Sequence, residues 1–278
     1  MLGNVFSPFY ARARARGGAD PLSHCTMNVA LYGPRGKRWA LTERGREAVA
    51  RDADSLTLGA SNLRWEGGEL IADLDERVAP FPSVRPGRLR GRVRVIPEVV
   101  TESAIAIDGA GRHLWWPVAP VARVEVSLDE PRVRWTGHGY HDANAGDDAL
   151  ERAFSGWNWS RAAVNGDAVL LYDTVDLAGR HSERAIRCGA HGTVEDVDLP
   201  RRAPLCPTGW RIDRATRADR GAAPAVARTL EDTPFYARSV VRTRLLGEDV
   251  YAMHERVDMD RFTAPWVQFL LPFRMKRG

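Results

Sequence analysis

The fold class is decided by YARSVVRTRL (Tyr236–Leu245), Leu246-Gly247 and EDVYAMHERVD (Glu248–Asp258), which read as two strands joined by a turn. Both segments have the length and the Val, Thr and Tyr content of strands, and a glycine-containing pair suits the turn. Similar segments, separated by Gly, Pro, Asn and Asp, recur at residues 27–32, 38–42, 63–65, 69–74, 91–96, 123–128, 132–135, 157–163, 168–173, 185–187 and 210–213. This regular spacing predicts an all-β protein, either a barrel or a sandwich.

Helical patterns are confined to two stretches of the sequence. Residues 147–154 begin with paired acids that suit a helix N-terminus, and part of residues 258–270 is also helix-like. Two strand-rich halves of similar length meet near residues 147–156. We therefore predict an N-terminal β-domain at residues 1–152 and a C-terminal β-domain at residues 153–278.

The composition is that of a globular protein and excludes several classes of function. Among 278 residues, 44% are hydrophobic, and 40 Lys and Arg exceed 36 Asp and Glu only slightly. The one dense basic run, Arg12 to Arg16, is too short for a nucleic-acid site, so we expect no nucleic-acid partner. It suits a solvated arm or contact with anionic lipid heads. Three cysteines without paired spacing argue against a disulfide scaffold.

The strongest chemical signal is GYHDANAG at residues 139–146, which follows HLWW at residues 113–116. Alternate side chains of a strand share a face, so Tyr140 and Asp142 point one way, as do His113 and Trp115. If these faces line one cavity, an acid lies among aromatic rings. An apolar wall keeps a carboxyl protonated, and ring faces stabilise a developing cation. This grouping predicts acid catalysis on a hydrophobic molecule.

Other interpretations of these residues are weaker. His113, His138, His141 and Asp142 are metal-ligand types, but alternation places His138 and Asp142 on the face opposite to His141. A nucleophilic Cys25 beside His24 would likewise have its base on the other face. No glycine-rich phosphate loop joins a strand to a helix. We therefore expect neither a metal nor a cofactor.

The sequence also resembles a known family. The segments that carry the resemblance are GNVFSPFY (3–10), DPLSHCTMNVALYG (20–33), WALTER (39–44), RHLWWPVAP (112–120), GYHDAN (139–144), WNWSR (157–161) and TLEDTPFYAR (229–238). Together they are similar to the carotenoid 1,2-hydratases, the hydroxyneurosporene synthases of phototrophic bacteria. The departure is Ala145, where the family's pattern has a larger residue, often Trp.

The resemblance implies a fold and an activity. The fold would be two lipocalin-like antiparallel β-barrels packed together. The activity would be cofactor-independent addition of water to the C1–C2 double bond of acyclic carotenoids such as neurosporene or lycopene. Asp142 matches the catalytic acid, and His113, Trp115 and Tyr140 match residues around it. Trp116 and His24 are further candidates for the substrate pocket. Trp157 and Trp159 suit core packing, a wall of the polyene tunnel or the seam between the barrels.

Two other functions fit the same features. A related protonating enzyme would cyclise an isoprenoid if an internal double bond, rather than water, trapped the cation. A lipocalin-like carrier would bind hydrophobic ligands without catalysis, and would have no use for an acid of raised pKa. Product mass separates hydration from cyclisation, because only hydration adds water.

The sequence has neither a signal-peptide pattern nor a run of apolar residues long enough to span a membrane. The segment most similar to a membrane span is residues 264–273, which is rich in aromatic residues, contains two prolines and is followed by basic residues. This segment suits either an interfacial anchor or packing on the core. We expect a cytoplasmic protein associated peripherally with the membrane from which it takes its substrate.

Overall fold

The computed structural model describes residues 1–34, 36–79, 87–189 and 192–278, and strands dominate it. The all-β prediction is confirmed. Strands of the first half are β1 Cys25–Gly33, β2 Gly36–Arg44, β3 Val49–Arg51, β4 Ser55–Leu58, β5 Ser61–Glu66, β6 Glu69–Arg77, β7 Arg88–Pro97, β8 Ile105–Ala106, β9 His113–Glu130 and β10 Val133–Gly146.

The second half continues the pattern. Its strands are β11 Phe154–Val164, β12 Asp167–Asp176, β13 His181–Cys188, β14 Val194–Asp196, β15 Arg201–Leu205, β16 Arg214–Ala218, β17 Ala225–Asp232, β18 Tyr236–Leu245, β19 Glu248–Asp258 and β20 Lys276–Arg277. The helices are α1 Pro8–Ala15, α2 Leu150–Ala153, α3 Met259–Thr263 and α4 Pro265–Arg274. Single 3-10 turns lie at Pro21–His24 and Arg46–Ala48.

Sequential antiparallel pairing produces the sheets. One has the order β10-β9-β7-β6-β5-β4-β3, with β8 paired to β9, and another has the order β14-β13-β12-β11-β19-β18-β17. Smaller sheets are β1-β2-β20 and β15-β16. The predicted hairpin is confirmed, because Leu245 pairs with Glu248 and both Leu246 and Gly247 have the positive φ of a tight two-residue turn. Closure of the sheets into barrels stays a prediction.

Packing divides the chain into two compact units that alternate along the sequence. The first unit is Met1–Pro97, Arg123–Gly139 and Gln268–Gly278, and the second is Glu98–Ala122 and Tyr140–Val267. Strands β9 and β10 therefore each contribute residues to both units. The division into domains 1–152 and 153–278 stays a prediction.

Each unit has an apolar core formed by inward-facing strand residues. In the first unit, Val124, Val126 and Leu128 of β9 pack with Leu89 of β7. In the second, alternate residues of β11 and β12 pack with Leu245 of β18; they are Ala162, Val164, Val169 and Leu171. The inward alternation is the period of two that a half-buried strand imposes.

Three sequence predictions of local structure were wrong. Residues 210–213 are not a strand, because Thr208 and Ile212 close a loop and Arg211 has a positive φ. The basic run lies in helix α1, although only two helical stretches were expected. Its N-terminus follows from Ser7, whose hydroxyl accepts hydrogen bonds from the Phe9 and Tyr10 amides, and from Pro8 in the first turn. The helix predicted at 147–154 shrinks to α2, since Phe154 already begins β11.

We expect Gly91→Ala to destabilise the protein by roughly 2–4 kcal/mol. Gly91 has a φ of +141°, and a Cβ there would lie 2.4 Å from the Ser127 carbonyl oxygen and 2.5 Å from the Leu128 Cα. Urea unfolding would measure the change. The control is Gly109→Ala, where an added Cβ meets nothing within 4 Å; equal free energies of unfolding for the two variants would contradict the prediction.

Candidate active site

A hydrogen-bonded cluster of three side chains lies where β9 and β10 carry the predicted site residues. Trp115 Nε1 donates to Asp142 Oδ2 at 3.0 Å and contacts the Tyr140 hydroxyl oxygen at 3.2 Å. The Tyr140 hydroxyl in turn donates to the same Asp142 oxygen at 3.1 Å. The expectation that Tyr140 and Asp142 share a strand face is confirmed. All three residues belong to the second unit.

Aromatic rings from β11 and β12 surround this cluster. Tyr172 meets the Trp115 ring edge-to-face, with centroids 5.2 Å apart, and Trp159 lies 5.3 Å from the Tyr140 ring. Trp159 and Tyr172 are themselves cross-strand partners in the register of β11 and β12. Sequence reasoning missed Tyr172, although a pairing of β12 with the Trp-containing strand would have pointed to it.

The environment of Asp142 favours the neutral acid. Asp142 is half-buried, and its desolvation raises the pKa of the carboxyl, while the hydrogen bonds from Trp115 and Tyr140 oppose that rise. Burial, followed by the negative charge of Asp142, raises the pKa of Tyr140. The same two causes raise the pKa of Tyr172. The carboxyl group of Asp142 therefore keeps its proton to a higher pH than the carboxyl of a free aspartate does.

A partly buried arginine, also missed from the sequence, borders the cluster. The Arg161 guanidinium lies 5.7 Å from the centroid of the Tyr140 ring. Its Nε and Nη2 donate to the Pro120 carbonyl oxygen at 3.2 and 3.0 Å, and burial lowers the pKa of the guanidinium. The motif WNWSR contains this residue, and its alternation with Trp159 on β11 was the available signal.

His113 lies further along the same strand pair than Asp142. Its ring is buried, packs 4.9 Å from Phe154, and stands so close to Gly146 that a Cβ there would be 2.5 Å from Nδ1. Within the described ranges, its Nε2 has no hydrogen-bond partner. The neighbouring Ala145 is exposed. His113 thus has a buried ring nitrogen whose hydrogen-bonding capacity is not used by the described residues.

The other predicted binding residues divide between the two units. Trp116 Nε1 donates to the Thr101 carbonyl and hydroxyl oxygens at 3.0 and 2.9 Å, whereas the indole of Trp115 donates to Asp142. Trp157 packs on Phe154 with centroids 6.1 Å apart. His24 belongs to the first unit, where its Nδ1 lies 2.9 Å from Glu43 Oε1. Roles for these residues in substrate binding stay predictions.

Metal-ligand side chains do not cluster in the described part of the chain. No group of three or more His, Cys, Asp or Glu there is placed to hold a metal ion. His138 is exposed and belongs to the first unit, whereas His141 belongs to the second, where burial lowers the pKa of its imidazole.

Comparison with known proteins gives a match over the whole chain. Residues 1–278 match the family described as carotenoid hydratase CrtC. The acyclic carotenoid 1,2-hydratase of Thiocapsa roseopersicina is 51% identical over all of this chain and 68% of its own length. Those of Rubrivivax gelatinosus and Cereibacter sphaeroides are 44% and 38% identical, again over all of this chain, and over 68% and 96% of their own lengths. These matches confirm the resemblance found in the motifs.

A solved structure supports the fold. The crystal structure of an AttH candidate from Nitrosomonas europaea superposes with a TM-score of 0.55 over 84% of each chain at 11% identity. At that identity the likeness concerns the fold alone.

Replacing Tyr140 by Phe removes one donor to Asp142 and keeps the ring. Because that hydrogen bond favours the charged carboxylate, we expect the pKa of Asp142, already raised by burial, to rise further in the variant. Carbon NMR titration of labelled aspartate carboxyls, assigned with Asp142→Asn, would measure it. Tyr251→Phe is the control, since Tyr251 is 65% exposed. An ordinary aspartate pKa in the unsubstituted protein, or a lower pKa in Tyr140→Phe, would contradict the interpretation.

Proposed function

Because the chain belongs to the carotenoid hydratase CrtC family, we propose that it adds water to the C1–C2 double bond of acyclic carotenoids such as neurosporene and lycopene. The observation that carries the mechanism is the hydrogen-bonded cluster of Asp142, Trp115 and Tyr140 among further aromatic rings. It supplies an acid, and a setting that tolerates a carbocation.

Proton transfer would begin the reaction. Asp142 Oδ2 accepts hydrogen bonds from Trp115 and Tyr140, so the proton of the neutral acid belongs on Oδ1. The C1–C2 π electrons take that proton at C2, leaving a carboxylate and a tertiary cation at C1. Water then forms the C1–O bond and loses a proton, which restores the neutral acid. The net change is the addition of one water.

The aromatic rings would stabilise the intermediate cation. A ring face contributes roughly 0.5–2 kcal/mol to a nearby cation when water is excluded. Trp115 and Tyr140 contact the acid directly, and Tyr172 and Trp159 pack against them. Trp115 and Tyr140 also donate hydrogen bonds to the carboxylate that remains after proton transfer. The carboxylate is thus stabilised by these donors, and the carbocation by the aromatic rings.

His113 suits the role of holding the attacking water. Its buried Nε2 lacks a hydrogen-bond partner among the described residues, and its contacts are with Phe154 and the Gly146 end of β10. A bound water is oriented by hydrogen bonds to polar groups, and the Nε2 atom of His113 can supply one of these bonds. This favours water positioning over orientation of Asp142, which already has two donors.

The remaining tryptophans differ in how well they fit a polyene-binding role. Trp159 packs on Tyr140, and Trp157 reaches His113 through Phe154, so both extend the aromatic surface around the site. Roles for Trp116 and His24 in substrate binding stay predictions. Hydration transfers no electrons, and we propose that the chain's own acid performs it without a cofactor.

Asp142→Asn should abolish hydration, with a rate loss of at least about 100-fold, because the amide cannot supply the proton. Lycopene-producing cells with and without the protein would be compared by mass-resolved chromatography. Asp129→Asn is the matched control, because Asp129 is an exposed aspartate of β9.

A product heavier by one water that persists in Asp142→Asn would contradict the assignment of the acid. A new product of unchanged mass would indicate a cyclase, and unchanged pigment with folded protein would indicate a carrier. Since only the protonated acid can react, the rate should fall as pH rises through the raised pKa of Asp142.

A lipid-soluble substrate also requires access to the bilayer, and we propose peripheral association with its cytoplasmic face. No helix in the described ranges has the length and apolar character to cross a membrane. Helix α4 instead exposes large apolar side chains, with Phe269 at 69% and Phe273 at 67% exposure and rings 5.5 Å apart. Aromatic side chains in such a position suit the membrane interface.

Removing these rings tests the association. Phe269→Ser/Phe273→Ser should lower the membrane-bound fraction in cell fractionation, by at least about tenfold in partition coefficient. Tyr251→Ser, which removes another highly exposed ring, should leave it unchanged. Recovery of all of the unsubstituted protein in the soluble fraction from carotenoid-containing cells would refute the proposal.

A further inference from the structure

The first unit contains a cationic cavity that the proposed chemistry does not use. Its volume is about 300 Å³, and its lining residues are Phe9, Arg12, Ala13, Arg16, His24 and Arg277. The first four have the spacing i, i+3, i+4 and i+7, so they form one face of the segment that begins with α1. The two others come from the adjacent 3-10 turn and from β20.

Specific contacts assemble this cavity from three parts of the chain. The buried Tyr10 of α1 packs 5.0 Å from the His24 ring, and His24 Nδ1 is bonded to Glu43 of β2. Glu43 pairs with Arg277 in the parallel β2–β20 register. The Arg277 guanidinium lies 5.8 Å from the centroid of the Phe9 ring, so β20 also contacts α1. The residues that line the cavity are therefore held in place by contacts within the first unit.

The charged side chains that line the cavity carry one sign of charge. Arg12, Arg16 and Arg277 are exposed, and none of them has a carboxylate partner in the described part of the chain. The nearby carboxylate of Glu43 is fully buried and directs Oε1 to His24. Some other exposed arginines of this unit are paired with acids, such as Arg92 with Asp73. Arg12, Arg16 and Arg277 are distinguished by lining one cavity together. Guanidinium groups that line one cavity without a paired acid are suited in charge and hydrogen-bond donors to bind a phosphate.

Exposed apolar side chains lie shortly before Arg277, one of the cavity residues, in the sequence. Phe269, Leu270 and Phe273 of α4 are exposed, and β20 with Arg277 follows after Met275. Exposed apolar side chains that can enter the acyl region, together with arginines that can bind headgroups, are the components of an interfacial lipid site. We infer that the cavity binds the phosphate group of an anionic phospholipid, an inference that rests on the proposed membrane association and identifies its lipid.

Vesicle sedimentation tests the inference directly. The full chain would be mixed with phosphatidylcholine vesicles with or without phosphatidic acid. We expect stronger binding with phosphatidic acid, and a loss of about 100-fold in the triple variant Arg12→Gln/Arg16→Gln/Arg277→Gln. The control Arg51→Gln/Arg77→Gln/Arg132→Gln removes three exposed arginines of the same unit that lie outside the cavity, and should bind like the unsubstituted protein.

A variant of unchanged charge separates a cavity from a diffuse basic surface. Ala13→Leu fills the cavity with an apolar side chain that a helix accepts well, and should weaken binding to phosphatidic acid vesicles at least about tenfold. Unweakened binding by Ala13→Leu, or equal losses in the two triple variants, would overturn the inference. So would saturable binding of inorganic phosphate that Ala13→Leu abolishes while vesicle binding persists, since that would assign the cavity to a soluble anion.

The catalytic proposal is tested separately. Asp142→Asn should bind vesicles like the unsubstituted protein while losing hydration. If the unsubstituted protein forms no hydrated product, the proposed reaction fails and the vesicle comparison is still interpretable. If hydration occurs but phosphatidic acid does not increase vesicle binding, the phosphate site fails alone.

Discussion

The convergence of Trp115 Nε1 and the Tyr140 hydroxyl on one oxygen of Asp142 is the interaction on which the proposed chemistry depends. Desolvation alone would favour a neutral acid but would leave the carboxylate formed after proton transfer without support. Donors alone would favour the carboxylate and leave too little acid. The two effects oppose each other at Asp142, and burial is the larger. The site can therefore hold a proton and can also release it.

Antiparallel pairing is what delivers these groups to one place. Trp115 and Asp142 lie 27 residues apart in the sequence but on β9 and β10, which are neighbours in a sheet. The rings of Trp159 and Tyr172 come from a second antiparallel pair in the same unit. Strand side chains have fixed directions, so the site's geometry is set by backbone hydrogen bonds rather than by mobile loops.

The two proposed sites impose opposite requirements on their surroundings. The acid needs a dry aromatic setting, whereas the cavity beside α1 needs exposed guanidinium groups that can meet a headgroup. In the chain these requirements fall to different compact units, with Asp142 in the second and Arg12, Arg16 and Arg277 in the first. A substrate that lives in the bilayer gives a physical reason for combining them in one protein.

The sequence by itself determined the all-β class, the hairpin at residues 236–258, the shared face of Tyr140 and Asp142, and the family, because period-two patterns, turn residues and long motifs are local signals. It missed α1, whose capping residues were present, and it placed a strand at residues 210–213. Only the tertiary structure decided that Trp115 reaches Asp142, that Tyr172 and Arg161 join the cluster, and that Arg277 meets α1. These contacts depend on strand order and register, which arise from the burial of distant residues together and have no signature within any one segment.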